Sequence, residues 1–156
     1  MDERPPYSRM AIAALALIGL FDAAYLSIER VRGATLACPI GGGCATVQSS
    51  PYALFLGVPV AFLGVAGYLL LFGVAMLSLY REAIAGVALP PALLALGSAA
   101  LLFAIYLTYL QVAVIGAICF WCAISALLDL AIWALALIDR RALRHARATL
   151  TNHPTG

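Results

Sequence analysis

The chain has 156 residues, of which 65 % are hydrophobic and only 10 % charged, with a formal net charge of +2. Soluble domains run at about 45–50 % apolar and ~25 % charged, and a chain of this length cannot bury such an apolar excess. The composition therefore predicts an integral membrane protein, and the small net charge leaves no basic face for a nucleic-acid partner.

A helix needs about 20 mostly apolar residues to cross ~30 Å of hydrocarbon. The first stretch that qualifies is Met10–Ile28. It is longer than the roughly 7–15 residues of a signal-peptide core, so a retained helix is expected, although Asp22-Ala23-Ala24 is a weak processing site. A polar loop follows, Arg32–Leu54, carrying Cys38-Pro-Ile-Gly-Gly-Gly-Cys44 and Ser50. The second span is Phe55–Tyr80, with Pro59 near its first turn, where a missing N–H costs little. The third is Pro91–Gln111, followed by a short turn near Val112–Gly116. The fourth, Ala117–Ile138, is headed by Cys119-Phe-Trp-Cys122. The final segment, Asp139–Gly156, begins as a basic helix end and is expected to continue as a solvated, partly disordered tail. Spanning strands are not expected, because no alternating pattern occurs and an open sheet edge cannot be satisfied in lipid. The predicted fold is an all-α, four-transmembrane-helix bundle forming one membrane domain over residues 1–156.

Arginine placement sets the orientation. With both termini cytoplasmic, Arg4, Arg9, Arg81, Arg140, Arg141, Arg144 and Arg147 lie inside and only Arg30 and Arg32 outside. That is the positive-inside bias of a cell-membrane protein. Both cysteine pairs then fall on the external, oxidising side.

The two pairs differ in their surroundings. A Cys-x-x-Cys opening a helix meets unsatisfied N–H groups and the positive end of the macrodipole, which stabilise a thiolate and favour disulfide exchange. Phe120 and Trp121 between them suit a membrane interface. Cys38 and Cys44 are separated by Pro39, Ile40 and three glycines, a mobile stretch that can bend to pair its sulfurs. One flexible pair and one fixed pair make a workable thiol relay. Two static external disulfides in a structural or assembly membrane protein are the non-enzymatic alternative. A zinc site fits poorly: the five-residue spacer exceeds the usual two to four, and His145 and His153 belong to the opposite end. No metal is expected.

Asp22 and Asp129 are the carboxylates placed inside spans. A bare charge at that depth costs about 3 kcal/mol or more. Asp129, seven residues beyond Cys122 on the same helix face, suggests a proton path. A neutral carboxyl hydrogen-bonded between helices, to Ser125 or Thr108, is the structural reading and the preferred one. Aromatic residues cluster towards the outer half: Tyr52, Phe55, Phe62, Phe103, Tyr106, Tyr109, Phe120 and Trp121. They can wall a flat ligand or form an interfacial belt. Gly64, Gly67 and Gly97 are expected to permit close helix packing.

The order Cys38-x5-Cys44, Ser50, Gly57-Val58-Pro59 and Cys119-x-x-Cys122 resembles the bacterial vitamin K epoxide reductase homologues over nearly the whole chain. The resemblance implies a four-helix bundle around a quinone (menaquinone, ubiquinone or similar), capped by the external loop and a short helix. It implies that a separate, periplasmic thioredoxin-like protein delivers electrons to Cys38 and Cys44. One of these then exchanges with Cys119, and Cys122 faces the quinone. Ser50 matches the family's loop serine, and Ser50, Phe55, Tyr106, Tyr109, Phe120 and Trp121 are the candidate quinone contacts. The implied activity is a quinone-dependent thiol oxidase supporting disulfide formation. The animal enzymes carry a Tyr four residues after the last cysteine; Ala126 stands there, which favours a plain quinone over a vitamin K epoxide. The other four-helix membrane thiol oxidase family has its cysteine pairs in the reverse order.

Overall fold

The computed structural model describes residues 7–33 and 37–151. Arg4, the loop residues 34–36 and the tail's last five positions, with His153, lie outside the described residues. The elements in order are α1 (Tyr7–Arg32), the short α2 (Gly43–Ser49), a 3-10 turn (Pro51–Ala53), α3 (Val60–Tyr80), α4 (Leu89–Tyr109) and α5 (Phe120–Thr151). Strands β1 (Leu54–Phe55) and β2 (Val58–Pro59) precede α3, and β3 (Ala83–Ile84) and β4 (Val87–Ala88) precede α4. Among the described residues, α1, α3, α4 with its continuation to Ile115, and α5 are long and apolar enough to cross a membrane. The all-α membrane bundle is thus borne out.

α1 packs on α3 and α5, and α4 packs on the same two, so the four helices close into a square. Between helices in lipid, close van der Waals fit and hydrogen bonds drive association, because the tails are as apolar as leucine. One end of the square is filled by Ile12, Ala16, Leu71, Ala75, Leu93 and Ile132. Gly19 makes this fit possible: a Cβ there would stand 2.4 Å from the Tyr68 ring. The same end is tied by Arg9, which is buried rather than solvated. Its guanidinium donates to the Ser78 carbonyl at 2.6 Å and to Asp139 at 3.1 Å, and Ser8 donates to Asp139 at 2.8 Å. Three helices meet in that cluster.

Several boundaries differ from expectation. The second span begins at Val60, not Phe55, because Leu54–Phe55 pairs antiparallel with Val58–Pro59. Leu56 and Gly57 make the turn with φ of 52° and 84°, the two positive angles of a type I′ hairpin. Ala85 and Gly86, with φ of 50° and 81°, repeat it before α4. These hairpins are far too short to span, so the argument against spanning strands is unaffected. α1 runs on to Arg32 and stops at Gly33, whose φ of 64° is the left-handed helix terminator. α5 does not end near Ile138. It continues to Thr151, so the basic helix end expected at the start of the tail is much longer than the sequence suggested. Ala, Leu and Arg dominate that stretch, all strong helix formers, and no Gly or Pro interrupts it.

Candidate active site

The other end of the square carries the chemistry. Past Tyr109 the backbone widens into a π-helical segment, Leu110–Ile115, and reverses at Gly116 with φ of 69°. The reversal returns the Gln111 side chain to the start of α5. Its Oε1 accepts the backbone N–H of Cys119 at 2.8 Å, both residues being buried. The Cys119 carbonyl then accepts from Ala123 N–H, the first bond of α5. Cys119 is therefore the N-terminal cap and Cys122 lies in the first turn, as the sequence predicted.

Cys119 and Cys122 are free thiols, while Cys38 and Cys44 form a disulfide with a Cα–Cα distance of 5.7 Å. The four share one cluster: Cys44 and Cys119 are fully buried in it beside Leu26, Val47 and Ala61, with Cys38 and Cys122 partly buried around them. Cys44 sits there because α2 lies directly on the strand of chain entering α5. A Cβ on Gly43 would meet the Ile118 carbonyl oxygen at 2.4 Å. The Cys119 thiol is held below the ordinary thiol value, chiefly by the S–H of Cys122 hydrogen-bonding to it; burial opposes this, and the backbone N–H groups of Cys122 and Trp121 assist.

Two further bonds fasten the loop. Trp121 Nε1 donates to the Ala37 carbonyl at 3.0 Å, and its ring packs on Tyr25 and Phe120. Arg30 donates to the Gln48 carbonyl at the end of α2.

Beneath α2, between the helices, lies a cavity of about 180 Å³ with a mainly apolar wall. Cys122 reaches it from one side, and Ser50, Tyr68, Gln111 and Asp129 supply polar atoms. The predicted contacts are only partly placed there. Ser50 lines it, its hydroxyl already donating to the Val47 carbonyl at 2.7 Å. Tyr52 and Phe103 from the aromatic cluster also line it. Phe55, Tyr106, Tyr109, Phe120 and Trp121 do not. The helical period explains this: Ala100, Phe103, Ala104, Leu107, Thr108 and Gln111 form the inward stripe of α4 and its continuation, leaving Tyr106 and Tyr109 46 % and 62 % exposed. Phe55 reaches the site indirectly, edge-on against Phe103 at 5.4 Å between centroids. Ala126 lines the wall as well.

Gly97 packs against Trp133 and Gly64 against Ala23, as expected of small residues at helix contacts. Gly67 differs, having no neighbour within 4 Å of a Cβ position; it opens the cavity wall. Gln111 and Tyr68 were not anticipated. A lone amide and a mid-span tyrosine in apolar stretches were the available signals. Asp129 is not bonded to Ser125 or Thr108: Ser125 donates to Asp22, and Thr108 to the Ala104 carbonyl.

Residues 10–137 match the Vitamin K epoxide reductase family. Among curated proteins, the thiol-disulfide oxidoreductase LTO1 of Arabidopsis thaliana is 32 % identical over 134 residues, covering 77 % of this chain and 33 % of its own. The chain thus spans about a third of that relative's length. With the family matched across most of the sequence, and with the bundle already in view, the chain belongs to the vitamin K epoxide reductase family.

Proposed function

We propose that the 156 residues act as one membrane-embedded thiol-disulfide oxidoreductase that oxidises an external thioredoxin-like partner and passes the electrons to a membrane quinone. The observation that carries this reading is the gathering of a loop disulfide, two helix-end thiols and an apolar cavity with Cys122 in its wall. Inert structural disulfides would leave the free pair beside a cavity without purpose.

The roles follow from burial. Cys38, the less buried loop cysteine, meets the partner's thiolate, and the electrons enter by exchange. Cys44, buried with Cys119, once reduced by that exchange attacks Cys119 of an oxidised Cys119–Cys122 pair; the loop disulfide re-forms and the helix-end pair is left as the dithiol. Helix α5 holds Cys122 towards the cavity. Both termini face the cytoplasm and the cysteines the outside, consistent with the arginine distribution. A quinone bound in the cavity supplies the two-electron acceptor. The wall fits a flat apolar ring with a few convergent polar groups, and Ala126 favours a plain quinone.

The test uses purified protein with a quinone and a reduced thioredoxin-like protein, reading quinone absorbance and alkylation-trapped cysteine states. Cys119→Ser and Cys122→Ser are each expected to abolish quinone reduction. Turnover persisting in both variants would return the protein to the structural alternative.

A further inference from the structure

The two buried carboxyls of the bundle have different surroundings. Asp22 accepts from the Ser125 hydroxyl at one oxygen, its Oδ1 having no partner, and does not line the cavity. Asp129 lines it, is only 7 % exposed, and its Oδ1 has no hydrogen-bond partner. A buried carboxyl oxygen without a hydrogen-bond partner is costly in a low-dielectric interior. The carboxyl group as a whole lines the cavity wall, with the Tyr68 hydroxyl as its neighbour across the helix contact. Tyr68 stands beside it, its hydroxyl donating to the Ser125 carbonyl at 3.2 Å. Seven residues of helix separate Asp129 from Cys122, about 10 Å along the axis, and both are on the cavity side of α5. The redox cysteine and the Asp129 carboxyl thus both line the cavity, about two helical turns apart.

We propose that Asp129 is the proton donor of this cavity: it carries a proton at rest, hydrogen-bonds to the quinone carbonyl oxygen remote from Cys122, and delivers that proton as the ring is reduced. The proposal rests on the quinone reading of the cavity. A carboxyl at this depth is kept protonated by the cost of a bare charge in the membrane. The reaction balances without another reagent. Two S–H bonds of Cys119 and Cys122 break and one S–S bond forms; two electrons leave the sulfurs, and two O–H bonds form on the acceptor. The thiols release two protons, and Asp129 recovers through the cavity the one it donates.

The experiment uses the full chain in lipid nanodiscs with a short-chain menaquinone. Binding is read by quenching of intrinsic fluorescence, and the protonated carboxyl by its infrared C=O stretch. In the wild type, adding quinone should shift one carboxyl band; the band should vanish in Asp129→Asn and stay in Asp22→Asn. Asp129→Asn keeps the shape and a hydrogen-bond donor, so binding should hold within about threefold, while reduction of quinone by the Cys119–Cys122 dithiol slows about 100-fold. Asp129→Leu should weaken binding about tenfold. Normal binding with an unresponsive carboxyl band, or a wild-type reduction rate in Asp129→Asn, would overturn this role and leave the cavity assignment standing. Failure of the wild type to bind quinone at all would overturn both.

Discussion

Cys119 shows how much one position depends on its immediate neighbours. Its acidity is set by the Cys122 S–H, with the N–H groups of the helix start assisting against burial. Thiolate, the reactive form, therefore accumulates at lower pH than for an ordinary cysteine. With the loop disulfide intact, thiolate ultraviolet absorbance should titrate with a midpoint below that of an ordinary thiol, and Cys122→Ala should move it upward. An unmoved midpoint would mean that the neighbouring thiol is not the cause. Placement of this cysteine at a helix start was legible in the sequence, since Cys-x-x-Cys headed a long apolar run. Its anchoring by Gln111 was not, because the amide reaches Cys119 only through the π-helical widening and the left-handed turn at Gly116. No local pattern encodes that route.

At the scale of elements, the Gly-rich loop separates into two functions. Gly41 and Gly42 adopt φ of 84° and 65°, conformations that glycine reaches without strain. Gly43 instead lets α2 lie against the backbone entering α5. The sequence reading of a uniformly mobile stretch missed that contact, since glycine for a turn and glycine for close approach look alike in one chain. A methyl at Gly43 would lift α2 and draw Cys44 away from Cys119. Displacements of about 1 Å can slow a positioned reaction by up to roughly 100-fold. Gly43→Ala should accordingly slow exchange between the two cysteine pairs at least tenfold, measured by rapid alkylation trapping, while quinone binding is unchanged. An equal loss of both would show general unfolding of the capped end instead. The aromatic contacts illustrate the same limit on α4: the outer-half cluster was visible, but which rings turn inward depends on the helix's rotation, and that is set by packing on α3 and α5.

Across the whole molecule, the two ends of the bundle are built differently. The end tied by Arg9, Asp139 and the Ser78 carbonyl is tightly filled, and the other is opened for the cavity. The clamp joins α1, α3 and α5, so the open end can be hollow without loosening the square. Breaking one partner of a buried ion pair typically costs about 3–5 kcal/mol. Arg9→Met should lower the thermal stability in detergent by about that amount, whereas the dithiol and disulfide states trapped by alkylation should stay as in the wild type. A variant of undiminished stability would show the pair to be incidental.

Composition and spacing alone determined the membrane setting, the four spans, the two cysteine pairs and the order that distinguishes this family. These are one-dimensional properties: hydrophobic length follows from bilayer thickness, and a Cys-x-x-Cys is local. Only the tertiary structure decided which loop cysteine lies buried with Cys119, that Gln111 supports it, and that Asp129 rather than Asp22 faces the cavity. Those outcomes depend on the rotation and approach of helices distant in sequence. In lipid, helix rotation is chosen by small residues and buried hydrogen bonds, not by an apolar face that can be read from the chain.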